Sequence, residues 1–354
     1  MKIEDLGYSD FFESNRKSLG LDSFAVARVT AEYKEAYKVK NLEGESLAKI
    51  TGKKMFNALS REDYPAVGDW VAISGTDKEQ TIIRGVLPRR TIIKRKKNSK
   101  NEIQIIATNI DVAFVIESVN RDFNLNRFER YFAIARDGGV KPVIILNKID
   151  LISKEELDLK LVQIKSRFKD INLISTSIVT NEGLNDLKTY MEKGKTYCFL
   201  GSSGVGKSSL INELIGKNII KTKDISSCAD RGKHTTTGRE MYFLETGGIV
   251  IDNPGIREVG MTDTNEGVDN LFDEITILAK KCKYTDCTHT HEPGCKILPL
   301  IRSGKINEER FLNYSRLKKE TEHYEMTELE LREKDRKFGK FMKKAKKELK
   351  KYKY

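Results

Sequence analysis

The octapeptide GSSGVGKS, Gly201 to Ser208, fits G-x-x-x-x-G-K-[ST] and lies between an apolar run, Thr196 to Leu200, and an amphipathic segment, Ser209 to Ile215. That context predicts strand, glycine-rich turn and helix, the setting in which this motif wraps phosphates. Gly201, Gly204 and Gly206, with Ser202, Ser203 and Val205 among them, let backbone N–H groups turn toward the phosphates. Lys207 would reach the β- and γ-phosphates, Ser208 would offer its hydroxyl to Mg2+, and Ser209 opens the helix behind them. A loop of this kind stands at the end of a parallel strand, so the surrounding chain is constrained to an α/β fold.

Two further motifs belong with it. Asn147, Lys148 and Asp150 form N-K-x-D at the end of the apolar KPVIILN. An aspartate there accepts two hydrogen bonds from guanine N1–H and its exocyclic amine, an edge that adenine lacks, so guanine is the expected base. Asp252 and Gly255 frame D-x-P-G after GGIVI; the carboxylate would hold Mg2+ through water, and the Gly255 N–H would sense the γ-phosphate. Singly, the first motif also suits a helix cap and the second a type I turn. Together they specify a GTP site, yet the base-reading motif precedes the phosphate loop, the reverse of the ordinary order.

The chain of 354 residues, 38% of them hydrophobic, suffices for two or three domains. Residues 1–23 read as an N-terminal extension with neither a basic n-region nor an apolar h-region, and no apolar run approaches membrane-spanning length; a cytoplasmic protein without membrane contact is expected. Residues 24–95 alternate apolar with polar over five short runs, which predicts a small OB-fold-like β-barrel that binds RNA. From 101 to 270 strands and helices alternate, the pattern of a parallel sheet covered on both faces. Residues 271–354 read as helical, interrupted by a cysteine cluster.

That cluster supplies Cys282, Cys287 and Cys295 with His289 or His291. Three thiolates and one imidazole close a tetrahedral Zn2+ site with no open position, a structural rather than hydrolytic centre. The other two cysteines, Cys198 and Cys228, carry no evident role. The net charge of +12 is concentrated: residues 334–354 hold eleven Lys/Arg against Asp335 and Glu348, and Arg89 to Lys100 holds seven basic residues and no acid. Each block alone suits a solvated surface; the pair favours a polyanion such as RNA.

With VGDWV near Gly68, VLPRRT at Val86, DFNLNRFERY from Asp122, RGKHTTT from Arg231 and CKYTDCTHTHEPGC from Cys282, the chain resembles the RsgA (YjeQ/YloQ) family of circularly permuted, ribosome small-subunit-dependent GTPases. The resemblance covers nearly everything after about residue 24 and explains the motif order: the sheet is entered at a different strand. It selects His289 as the fourth zinc ligand and makes Ser177 the start of the base-contacting loop. It also points to His234 as the residue that positions the attacking water, since Ile256 stands where many GTPases carry glutamine. One of Thr235, Thr236 and Thr237 would complete the Mg2+ shell. The resemblance implies a GTPase that docks on the small ribosomal subunit and its rRNA late in assembly, alone or beside other assembly factors. The subunit would stimulate hydrolysis and hydrolysis would favour release; a monomer is expected. The rival reading is a GTP-gated RNA-binding switch with vestigial hydrolysis, and a His234→Ala variant separates the two.

Overall fold

The computed structural model describes residues 1–34, 36–50, 61–75, 81–96, 103–120, 123–217, 219–220, 239–252, 265–325 and scattered helical positions from Glu330 to Glu348. Two compact units divide the chain, Met1–Gly260 and Met261–Tyr354.

In the first unit, five strands close a barrel: β1 (Ala25–Glu32), β2 (Tyr37–Lys40), β3 (Glu45–Ile50), β4 (Trp70–Ser74) and β5 (Thr81–Val86). The order is β1-β2-β3-β5-β4, with β4 returning to β1 and only the β3–β5 pair parallel. Alternation points Ala27, Val29, Val39, Val71 and Ile83 into one core. Residues 1–23 are not a loose extension. A 3-10 turn (Ile3–Leu6) and helix α1 (Asp10–Ser18) bury Leu6 and Phe12 with Trp70 and Leu87, and the Tyr8 ring meets Trp70 edge-on at 4.7 Å. Strand β6 (Ile92–Lys96) falls inside the stretch 24–95 read as barrel, but it pairs instead with β7 (Ile103–Thr108) in a separate two-stranded sheet. Among the described residues, closure of β4 on β1 leaves only the Ala31 end of β1 to take an outside strand, and β12 takes it.

The strands that follow are β8 (Val112–Ser118), β9 (Lys141–Asn147), β10 (Leu173–Thr176), β11 (Thr196–Leu200), β12 (Glu240–Phe243) and β13 (Ile249–Asp252), in the order β10-β9-β8-β11-β13-β12. All neighbours are parallel except β12, which runs antiparallel to β13. Strands β8 and β11 are buried at every position, as a sheet covered on both faces requires. Their core includes Phe114 stacked on Tyr197 at 5.2 Å. Cys198, between Tyr197 and Phe199 on the other face of β11, is also fully buried, which pushes its thiol pKa up and leaves it an inert packing group.

The helices over the sheet are α2 (Leu125–Asp137), α3 (Lys154–Arg167), α4 (Leu184–Tyr190) and α5 (Lys207–Ile215). Ser153 and Glu156 cap α3 reciprocally, and the Asn124 side chain accepts from Asn126 N at the start of α2. Barrel and sheet share a buried arginine. Arg28 on β1, 1% exposed, donates to the carbonyls of Leu6 (2.5 Å), Gly68 (3.3 Å) and Asn109 (3.1 Å) and to Thr196 Oγ1 (2.8 Å) at the root of β11.

The second unit holds α6 (Asn265–Leu271), α7 (Asp273–Ala279), α8 (Leu298–Arg302) and α9 (Glu308–Glu325). Phe272 packs on Tyr314 with ring centroids 5.5 Å apart, Phe311 meets Tyr314 at 6.4 Å, and Ile297, Ile306 and Leu317 are buried as well, giving the unit an apolar layer. Helix α6 packs on α9 although its sequence adjoins the sheet's last segment, because Val268 and Leu271 need this apolar layer to be buried.

Candidate nucleotide and metal sites

Strands β9, β10, β11 and β13 are mutually parallel, so Asn147, Thr176, Leu200 and Asp252 finish at the same edge of the sheet. Open α/β sheets bind ligands at this carboxyl edge. Gly201 leaves β11 at φ 153°, and the loop reaches Gly206, in the left-handed region at φ 102°, which is the N-cap of α5. No side chain caps α5, and a helix N-terminus entered through a glycine turn suits an anion. The Lys207 ammonium folds back over the loop and donates to the carbonyls of Gly201 (2.7 Å) and Ser202 (2.6 Å). Ser203 and Gly204 are exposed, Ser202, Ser208 and Ser209 half-buried, and Val205 buried.

The N-K-x-D segment is stitched to this loop. Asn147, 1% exposed, donates through Nδ2 to Val205 O (2.8 Å), and Lys148 Nζ donates to Gly204 O (2.7 Å). Lys148 has φ 64°, the left-handed turn that separates strand β9 from the 3-10 turn Ile149–Leu151. The exposed Asp150 accepts a 2.5 Å bond from the buried Ser177 hydroxyl, which itself accepts from Thr180 N at 3.2 Å. A fixed Ser177 thus selects one Asp150 orientation. Thr176 is a contributor that motif reading passes over: its hydroxyl donates to Asn147 Oδ1 at 3.0 Å, and the clue is its position immediately before Ser177.

Replacement of Gly206 by alanine is expected to be severe, because a Cβ there would overlap Asn147 Nδ2 and φ is positive. Strain of about 1–3 kcal/mol should appear as a lowered Tm. Nucleotide affinity should fall at least about tenfold, read by fluorescent GDP titration; Gly204→Ala, which meets nothing within 4 Å, should lose less affinity.

Asp252 ends β13, with Ile251 paired to Cys198 of β11. An acidic oxygen and the Ser208 hydroxyl at one sheet edge are hard donors of the kind Mg2+ takes. His234, Thr235, Thr236, Thr237 and Gly255 lie outside the described residues.

In the second unit the ligand atoms of Cys282, Cys287, His289 and Cys295 all lie within 4.8 Å of one another. His289 Nδ1 is 3.6 Å from Cys282 Sγ and 3.4 Å from Cys295 Sγ. Tetrahedral ligands at ordinary Zn–S and Zn–N lengths sit about 3.6 Å apart, so the spacing fits. Burial, then the neighbouring Cys295 and Cys282, push the Cys287 thiol up to about 11, an imbalance that a divalent cation reverses. Burial lowers the His289 pKa, favouring the neutral, ligating imidazole. Backbone N–H groups of Lys296 (3.3 Å) and Leu298 (3.4 Å) donate to Cys282 and Cys295 sulfur. The ring of His289 meets Phe311 of α9 at 6.1 Å, whereas His291 is exposed and bonded to Thr290 Oγ1. The cluster can therefore hold a metal ion through three sulfurs and one nitrogen.

Comparison with known proteins agrees with this geometry. Residues 86–262 match the family model described as RsgA GTPase. The chain is 40% identical over 314 residues to the Small ribosomal subunit biogenesis GTPase RsgA 2 of Lactiplantibacillus plantarum, spanning 88% of this chain and 86% of that protein. It is 43% identical over 258 residues to the Small ribosomal subunit biogenesis GTPase RsgA of Methanosarcina acetivorans, 72% and 69% of the two chains. Among solved structures, YjeQ from Thermotoga maritima superposes with TM-score 0.61 at 23% identity, covering 82% of this chain and 96% of that one. YloQ, described as a circularly permuted GTPase, gives 0.59 at 18% identity, covering 86% and 97%. The strand order, with the base-reading strand β9 preceding the phosphate-loop strand β11, is that of a circularly permuted GTPase behind a small barrel. The chain belongs to the RsgA GTPase family and is a GTP hydrolase.

Proposed function

We propose that this GTPase acts on the small ribosomal subunit during late assembly, binding its rRNA and hydrolysing GTP to GDP and phosphate, with the subunit stimulating hydrolysis and hydrolysis favouring release. The observation that supports it most directly is the convergence of base-reading and phosphate-loop segments at one sheet edge, in a chain whose curated relatives are named small ribosomal subunit biogenesis GTPases.

In this reading Asn147 and Lys148 brace the loop while Asp150, oriented by Ser177, takes the guanine edge. Residues Gly201 to Ser209 wrap the phosphates, and Lys207 exchanges its two carbonyl partners for β- and γ-phosphate oxygens. Mg2+ would be held by Ser208, one of Thr235, Thr236 and Thr237, and Asp252 through water, neutralising charge on the phosphates. His234 would orient the attacking water and Gly255 would sense the γ-phosphate.

The barrel order β1-β2-β3-β5-β4 supports an OB-fold, a class whose exposed strands bind oligonucleotides. The basic stretch Arg89 to Lys100 would add phosphate contacts, although Arg89 and Arg90 are paired internally, to Asp69 at 2.8 Å and to Asp111 at 2.6 Å. The Cys3His cluster would hold one structural Zn2+. Among the described residues no helix is long and apolar enough to cross a membrane, in keeping with a ribosome partner in the cytoplasm.

The test is the steady-state GTPase rate with and without isolated small subunits at several salt concentrations. A slow basal rate that rises strongly with subunits and falls back with salt is expected. A rate indifferent to subunits would refute the ribosomal part of the reading.

A further inference from the structure

Strand β12 is a second junction between barrel and sheet, apart from Arg28. Glu240 pairs with Asp252 of β13 on one side and with Ala31 of barrel strand β1 on the other, so one residue borders both the barrel and the carboxylate assigned to the metal side of the nucleotide. The side chains around it reinforce the seam. Arg239 Nη1 donates to Ile105 O of β7 at 2.7 Å and lies 3.7 Å from Glu32 Oε2 on β1. Those two charged side chains are 16% and 22% exposed, too enclosed for solvent to screen them as it does a surface pair. The Tyr242 hydroxyl donates to Glu240 Oε2 at 2.9 Å, and the Lys40 ammonium of β2 stands 4.5 Å over the Phe243 ring.

Among the described residues the seam is narrow: β1 meets β12 at one bridged pair, Ala31 with Glu240, beside the place where β1 shifts register against β2 between Val29 and Ala31. A long ladder would lock two elements together, and a complete gap would let them ignore each other. A short bridge braced by the partly enclosed Arg239–Glu32 pair can report a displacement of either side.

We propose that Arg239 and Glu240 are positioning residues for Asp252: they tie the metal-side end of β13 to barrel strand β1, so the bound nucleotide is felt at β1 and a partner on the barrel is felt at Asp252. Reciprocity follows, because a coupling free energy acts equally in both directions. The inference rests on the reading of Asp252 as part of the nucleotide site and is independent of what the barrel binds.

Hydrogen exchange on the full chain tests it without any RNA. With Mg2+ present, the amides of Val29 to Glu32 should exchange about fivefold or more differently in GDP and in a non-hydrolysable GTP analogue. Arg239→Ala should shrink that difference below about twofold while the chain still binds GDP saturably, and Arg239→Lys should restore part of it. Glu32→Gln removes the pair from the barrel side and should act alike, which covers the case of an Arg239→Ala chain that does not fold. Identical β1 exchange in the two states of the unaltered chain, or a difference that persists in the Arg239→Ala and Glu32→Gln variants, would overturn the proposal. An unaltered chain giving no saturable nucleotide signal overturns the nucleotide-site reading, and this proposal with it, a result distinct from nucleotide binding without a response at β1.

Discussion

Asp150→Asn is expected to lower kcat/KM for GTP by about 10²- to 10⁴-fold while making XTP the preferred substrate. In the proposed site the carboxylate would accept two hydrogen bonds from guanine, and each such bond to a charged group contributes about 1.5–3 kcal/mol. An amide in the same place presents one acceptor and one donor, which suits xanthine, where a carbonyl replaces the exocyclic amine. The change should leave the fold intact, because Asp150 is exposed and the Ser177 hydroxyl that bonds it can donate to an amide oxygen as well. Initial rates for GTP, XTP and ATP, with a melting curve for each protein, decide the matter. A variant with unchanged preference for GTP would remove Asp150 from base recognition.

Cys287→Ser, or prolonged chelation, is expected to abolish metal binding and to unfold the local structure around residues 282–296. The sulfur cluster is held by the short segment itself and by Phe311 beneath His289, so without a cation three partly buried thiols remain crowded. Structural zinc contributes about 10–16 kcal/mol of apparent binding free energy in small zinc modules, far more than one ring contact replaces. Metal analysis should fall from one zinc per chain to none, and amides from Lys283 to Lys296 should lose protection. Basal GTP hydrolysis should persist, since every proposed nucleotide contact belongs to the other compact unit. Retention of one metal per Cys287→Ser chain at unaltered affinity would exclude this cysteine as a ligand.

What the sequence disclosed and what it withheld follow from the range of the forces involved. The segment around Gly201 was legible because a glycine-rich turn between an apolar strand and a helix is a local requirement; strand Thr196–Leu200 occupies the range expected of it. The pairing of Asp150 with a segment beginning at Ser177 came from resemblance, and the bond between them spans 27 residues. Arg28 was opaque: it sits in AVARVTAE like any polar residue of an alternating strand, yet its partner Thr196 is 168 residues away. The N-terminal residues were unreadable for the same reason, since Phe12 on α1 gains its burial from Trp70 and Leu87, which no local pattern announces. In β6 the alternation was visible but the partner was not, because pairing depends on which edges remain free.

The rearranged strand order sets a timetable for synthesis. Asp150 and Ser177 leave the ribosome before Gly201, and Asp252 follows Asp150 by about a hundred residues, which at ordinary elongation rates is about 5–20 s. Strands β8, β9 and β10 are complete before the phosphate loop exists, and β11 must then insert beside β8. GTP cannot assist the folding of that first half. Its stability has to come from apolar burial, to which β8, buried throughout, and β9, buried from Val143 onward, contribute.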